Sequence, residues 1–302
     1  MINSKSFLTS AILSSFTLLS GAIIFPGKLH AAACPAASSL TSVATGGDAT
    51  SFLEVTGGDC AGTPTTYGVK VYKMGFCSSD PFSGVTAGNA PVYTSCSWTF
   101  SNSSGEYQSF SEGSSVALSA DSSSMPETGT YGYSVIELEP TFTIKASYGP
   151  FNDGSSTTYY STSTYGTTST DSGLHGEFEA PINTFMGNSD KGLGEDGDNL
   201  CNAYDEVENS AGTITGYLLN SAGTLIADNA AITSCSSAAG GEGVNRLIGV
   251  QALTTSVEIT SSTTGITATF DVSDNGTTVT YDGGTGIGLD AGPFSVGFTI
   301  TE

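Results

Sequence analysis

Apolar residues recur at every second position in short runs along most of this chain, and the runs end at Gly, Ser, Asn or Pro. Side chains alternate between faces in a strand, so this pattern predicts half-buried β-strands rather than helices. Over residues 95–100, Cys96, Trp98 and Phe100 fall on one face and Ser95, Ser97 and Thr99 on the other. Val116 with Leu118, Phe142 with Ile144, and the set Ile266, Ala268, Phe270 and Val272 repeat the period, as do Phe294, Val296, Phe298 and Ile300. Residues 67–77 are apolar on both faces, as in a central strand. Pro181 assigns the strand around it to a sheet edge. Asn275-Gly276 predicts a tight turn between the 265–272 strand and one over 277–281. Ser-Ala-Gly-Thr occurs at 210–213 and 221–224, which predicts a hairpin, since no third copy suggests a longer repeat.

Many short strands with turn residues between them predict an all-β, antiparallel β-sandwich of immunoglobulin-like or jelly-roll type. Composition agrees. Charged residues make up 12% and the chain carries 39 glycines, whereas ordinary domains are about 25% charged. Ser and Thr supply the missing polarity, and β-branched hydroxyls suit strands better than helices. The length allows one large or two smaller domains. Residues 154–173 contain only Gly, Ser, Thr and Tyr besides Asp171. The expected division is a first β-sandwich over 34–153, a linker or long hairpin over 154–175, and a second domain, or second half of one domain, over 176–302.

The first residues predict export. Lys5 precedes an uncharged stretch from Ser6 to Pro26, and Ala31-Ala32-Ala33 precede Cys34. A positive start, an apolar middle and a small-residue cleavage site predict a signal peptide over 1–33. Its removal takes away Lys5 and Lys28 and no carboxylate, so the formal charge of −22 becomes −24. That charge excludes nucleic-acid partners and disfavours anionic membrane surfaces. The expected location is secreted or cell-surface, including the periplasm or outer envelope, without membrane insertion after cleavage. Lipidation of Cys34 is the other outcome the same residues allow.

The six cysteines fit an oxidising compartment. Of fifteen pairings, the sequential one is expected: Cys34–Cys60, Cys77–Cys96 and Cys201–Cys235, each closing a local loop. Zinc is disfavoured, because no C-x-x-C occurs and His175, the one histidine after residue 33, lies far from every cysteine.

A single histidine beyond the leader also removes most catalytic designs, and no G-x-S-x-G occurs. Glu137 with Glu139, and Glu177 with Glu179, share strand faces at a spacing a glycosidase could use. Alternating carboxylates on a solvated face explain both pairs, so no enzyme activity is expected. Asp190, Glu195, Asp196 and Asp198 lie on a Gly-rich acidic loop and are candidate calcium ligands, although their spacing is not that of an EF-hand. No other cofactor is implied.

Two functions are consistent with these features. One is a secreted or cell-surface structural or adhesive subunit, joined to itself or to other surface proteins by strand addition along the uncharged run 294–301. The other is an extracellular, non-catalytic module for glycans or calcium, using tyrosines near 131–133 and 159–165.

Overall fold

Every strand ladder among the described residues is antiparallel. The computed structural model describes residues 32–44, 49–110, 122–123, 125–182, 204–209, 212–226, 243–283 and 286–302, with 122–123 and 204–209 described through backbone alone. The strands are β1 (Asp59–Gly62), β2 (Thr66–Cys77), β3 (Cys96–Phe110), β4 (Ser122–Ser123), β5 (Gly129–Leu138) and β6 (Thr141–Lys145). Next come β7 (Ser147–Tyr148), β8 (Tyr159–Ser161), β9 (Thr168–Ser169), β10 (Phe178–Pro181), β11 (Tyr204–Asn209) and β12 (Gly212–Leu219). The last are β13 (Arg246–Ile259), β14 (Gly265–Asp271), β15 (Thr277–Tyr281), β16 (Ile287–Ala291) and β17 (Ser295–Thr301). A short α-helix, Phe52–Thr56, is capped by Ser51, whose side chain accepts from the Glu54 N–H, and ends at Gly57 with φ 74°.

The large sheet is built on β2. β3 lies along one side of it, while β6 and then β5 lie along the other. The sheet forks where β5 gives way to β6: β13, β12 and β11 continue from β5, and β10 continues from β6. This one sheet therefore takes strands from both sides of residues 154–175. Tyr67, Val69 and Val71 alternate into the core, and Phe76 and Cys77 are also buried. Register shifts between Val71 and Lys73 and between Met74 and Gly75 break the simple period of two.

Against this sheet lie the smaller ladders β1–β15–β16 and β14–β17. Phe110 of β3 stacks on Phe270 of β14, and Phe294 contacts Tyr67, Phe142 and Phe270. Phe298 of β17 meets Phe76 of β2 at 4.6 Å between ring centres. Two layers of antiparallel sheet joined by interdigitated aromatic rings are a β-sandwich arrangement. The hydroxyl of the fully buried Tyr67 donates to the Gly292 carbonyl at 2.9 Å, which satisfies its only polar atom.

Two details depart from the sequence reading. β14 and β15 do not form a hairpin, since β14 pairs with β17 and β15 with β1 and β16. Gly276 instead donates its N–H to the Val272 carbonyl at 2.9 Å, in a turn that carries the chain between ladders. A side chain at Gly276 would strike Val272 and Pro64, so the glycine is there for close approach. β3 also extends well past residue 100, through the hydroxyl-rich residues 101–109, to the buried Phe110. The 221–224 copy of Ser-Ala-Gly-Thr does make a hairpin: the Asn220 side chain accepts from the N–H groups of Ala222 and Thr224, and Leu219 bridges to Leu225.

Candidate functional site

Four of the singled-out cysteines lie in described segments, and they pair as Cys34–Cys60 and Cys77–Cys96. Cys201 and Cys235 lie outside the described residues, as do Val116, Leu118 and the calcium candidates Asp190, Glu195, Asp196 and Asp198. Among the described residues no three His, Cys, Asp or Glu side chains come together as a metal site. No described helix is long and apolar enough to cross a membrane.

In the first carboxylate pair, Glu137 is engaged in two ion pairs and Glu139 in a hydrogen bond. Glu137 accepts from Lys73 Nζ and from Arg246 Nε, each at 3.2 Å. The Tyr72 hydroxyl donates to Glu139. The Arg246 guanidinium sits 3.8 Å from the centre of the Tyr72 ring, and Lys73 lies over Trp98 at 5.5 Å. Burial and the Glu139 hydrogen bond both raise the Tyr72 pKa. These contacts tie β2, β5 and β13 together through Lys73, Glu137 and Arg246.

His175 packs against Tyr160 at 5.0 Å, and its Nε2 is enclosed without a hydrogen-bond partner among the described residues. Desolvation and nearby Lys145 lower its pKa, which favours the neutral ring.

The tyrosines expected to be exposed divide into two groups. Tyr131 is buried against Phe76, with its hydroxyl donating to the Glu127 carbonyl at 2.8 Å, and Tyr133 is partly buried against the core. Tyr165 is 49% exposed at the tip of the turn between β8 and β9. It lines an open groove with Glu177, Glu179 and the hydroxyl residues Thr143, Ser163 and Thr164. Its hydroxyl donates to Asp290 of β16 at 3.0 Å, and its ring contacts Phe178 of β10. Burial raises the Asp290 pKa, and the Tyr165 phenol is pushed up to about 12 by desolvation and by that carboxylate. Gly176 lets the strand leading into β10 lie against residues 162–163, where any side chain would meet backbone.

The strand edges differ in how they are protected. β10 closes one branch of the large sheet and ends in Pro181, which has no N–H to offer. β11 closes the other branch and carries Asp205, Glu206 and Glu208. β3 bulges away from β2 between Ser101 and Glu106, with Gly105 at φ 68°. These are ordinary guards against edge-to-edge pairing. β14 and β17 pair only with each other among the described residues; β14 carries one carboxylate, the exposed Asp271 at its end, and β17 carries no charge, proline or bulge. β17 reads Ser-Val-Gly-Phe-Thr-Ile-Thr, with Thr299 and Thr301 exposed. The next residue, Glu302, accepts hydrogen bonds from Thr260, Ser262 and Thr263 and so anchors the strand end to the turn between β13 and β14.

No family model matches this chain, and no curated protein or solved structure is similar to it.

Proposed function

We propose that this protein is an exported structural subunit that associates with further copies of itself by strand addition at the β14–β17 ladder. The carrying observation is the contrast between edges. Proline, carboxylates and a bulge cover the ends of the large sheet, while β17 is uncharged, regular and hydrogen-bonded on one side only among the described residues.

The leader-like residues 1–33 and the two disulfides support an oxidising compartment outside the cytoplasm. The large negative charge opposes loose aggregation, so only a contact with matched hydrogen bonds overcomes the repulsion.

Phe294 and Val296 are core residues, so truncating this segment would remove part of the core along with the edge. A surface guard is the better test. Thr299→Lys with Thr301→Lys places ammonium groups on the exposed face of β17. The intact protein, freed of residues 1–33, should form ordered assemblies by size-exclusion chromatography and electron microscopy, more so as salt screens its charge. The double variant should remain monomeric with an unchanged melting temperature. An intact protein that stays monomeric at high concentration and high salt would overturn the proposal.

A further inference from the structure

The groove beside Tyr165 is separate from the strand edge and has its own chemistry. An aromatic ring left half open to solvent is commonplace, but this one is held in place from two sides. Its hydroxyl is tied to Asp290 on β16, and its ring rests on the buried Phe178 of β10. The loop that carries it is laced by its own hydroxyls: Thr162 and Thr167 hydrogen-bond to each other, and Thr167 N–H and Oγ1 both donate to the Thr164 carbonyl. Across the groove stand Glu177 and Glu179, both exposed, and Thr143 lies beside Glu179 in the β6–β10 register.

A fixed apolar plane beside several hydrogen-bonding oxygens suits a ligand with one apolar face and a rim of hydroxyls. The geometry points to a binding site for a neutral, hexose-based glycan, with Tyr165 as the stacking platform. The axial C–H bonds of a pyranose present an apolar face to the ring. Its equatorial hydroxyls donate to the Glu177 and Glu179 carboxylates and exchange hydrogen bonds with Thr143, Ser163 and Thr164. Sulfated and uronic-acid glycans are excluded by charge, since the groove carries two carboxylates on a chain of net charge −22. Pre-organisation of the ring spares the ligand the entropy of ordering it. The groove is open and not enclosed, which suits a chain-like ligand lying across the surface.

The experiment is an array of neutral oligosaccharides (α- and β-glucans, mannans and galactans) probed with the full mature protein, followed by calorimetric titration with the strongest hit. The intact protein should bind at least one neutral glycan, and Tyr165→Ala should weaken that binding by about tenfold or more. Tyr165→Trp should retain it. Glu177→Ala with Glu179→Ala alters only exposed positions and should also weaken binding without changing the melting temperature. A silent array, binding restricted to anionic glycans, or an affinity unchanged in both Tyr165→Ala and the double carboxylate variant would overturn the proposal. None of these readouts depends on self-association, so the two proposals fail separately.

Discussion

Phe110 of β3 and Phe270 of β14 stack with ring centres 4.5 Å apart and planes within 10° of parallel, and this pair joins the large sheet to the β14–β17 ladder. Both rings are almost wholly buried, and Phe294 packs beside Phe270. The ladder has no backbone hydrogen bond to the large sheet among the described residues, so side-chain packing holds it in place. Phe270→Ala should therefore lower unfolding free energy by about 3–5 kcal/mol, measured by urea denaturation. Phe110→Ala should cost a similar amount, and the double variant should show a favourable coupling of about 0.5–1.5 kcal/mol for the stacked pair. Additive losses would mean that the rings contribute only their burial.

Glu137 has a side chain only 15% exposed and faces two cations. Replacing it with Gln leaves Lys73 and Arg246 close together with no anion between them. Glu137→Gln should lower stability by about 1–3 kcal/mol, as for the loss of charge-assisted hydrogen bonds at a half-buried site. Arg246→Lys keeps the charge but loses the planar group over Tyr72, and should recover only part of the native stability. Equal stability of Arg246→Lys and the parent protein would show that the stacking contributes nothing.

The strands with a clean period of two were legible in the sequence, because one face of each is buried. Phe142 and Ile144, or Ala268, Phe270 and Val272, alternate for that reason. The second half of β3 was not legible: its residues 101–109 are solvated on both faces, so no hydrophobic alternation marks them. The helix at 52–56 is too short to carry a period. The partners of Glu137 were equally hidden, since Lys73 and Arg246 are 173 positions apart in the numbering and meet only through the β2–β5–β13 pairing. Tyr165 was among the tyrosines expected to be exposed, but its link to Asp290 spans 125 positions and no local pattern records it.

All six cysteines should be oxidised in the protein freed of residues 1–33 and purified without reductant. Cys34–Cys60 and Cys77–Cys96 close segments of 26 and 19 residues, and each should stabilise the fold by roughly 3 kcal/mol through the unfolded chain. Of the six cysteines, Cys201 and Cys235 remain, and their pairing is the expected third bond. Thiol labelling of denatured, unreduced protein should give no adduct, and peptide mapping should recover a Cys201–Cys235 cross-link. A labelled Cys60 would show instead that Cys34 is occupied by another modification.

Asp290 should make stability depend on pH in a direction opposite to that of a salt-bridged carboxylate. Burial raises its pKa in the folded protein, while the unfolded chain titrates near the ordinary value of about 4. Between those two values the folded state holds the proton more tightly, so the contribution of Asp290 to stability falls as pH rises through that interval. Above the folded pKa the destabilisation is complete, and below the unfolded pKa it is absent. Asp290→Asn removes the charge while its side-chain oxygen can still accept from the Ala291 N–H, and its amide can donate to the Tyr165 oxygen. The variant should therefore be more stable than the parent at pH 7, and the difference should shrink towards zero as the pH approaches about 4. Paired urea titrations across that range measure it directly. A difference that stayed constant with pH would show that the hydrogen bonds from Tyr165 and Ala291 offset the cost of burying the charge, and one that favoured the aspartate at pH 7 that they outweigh it.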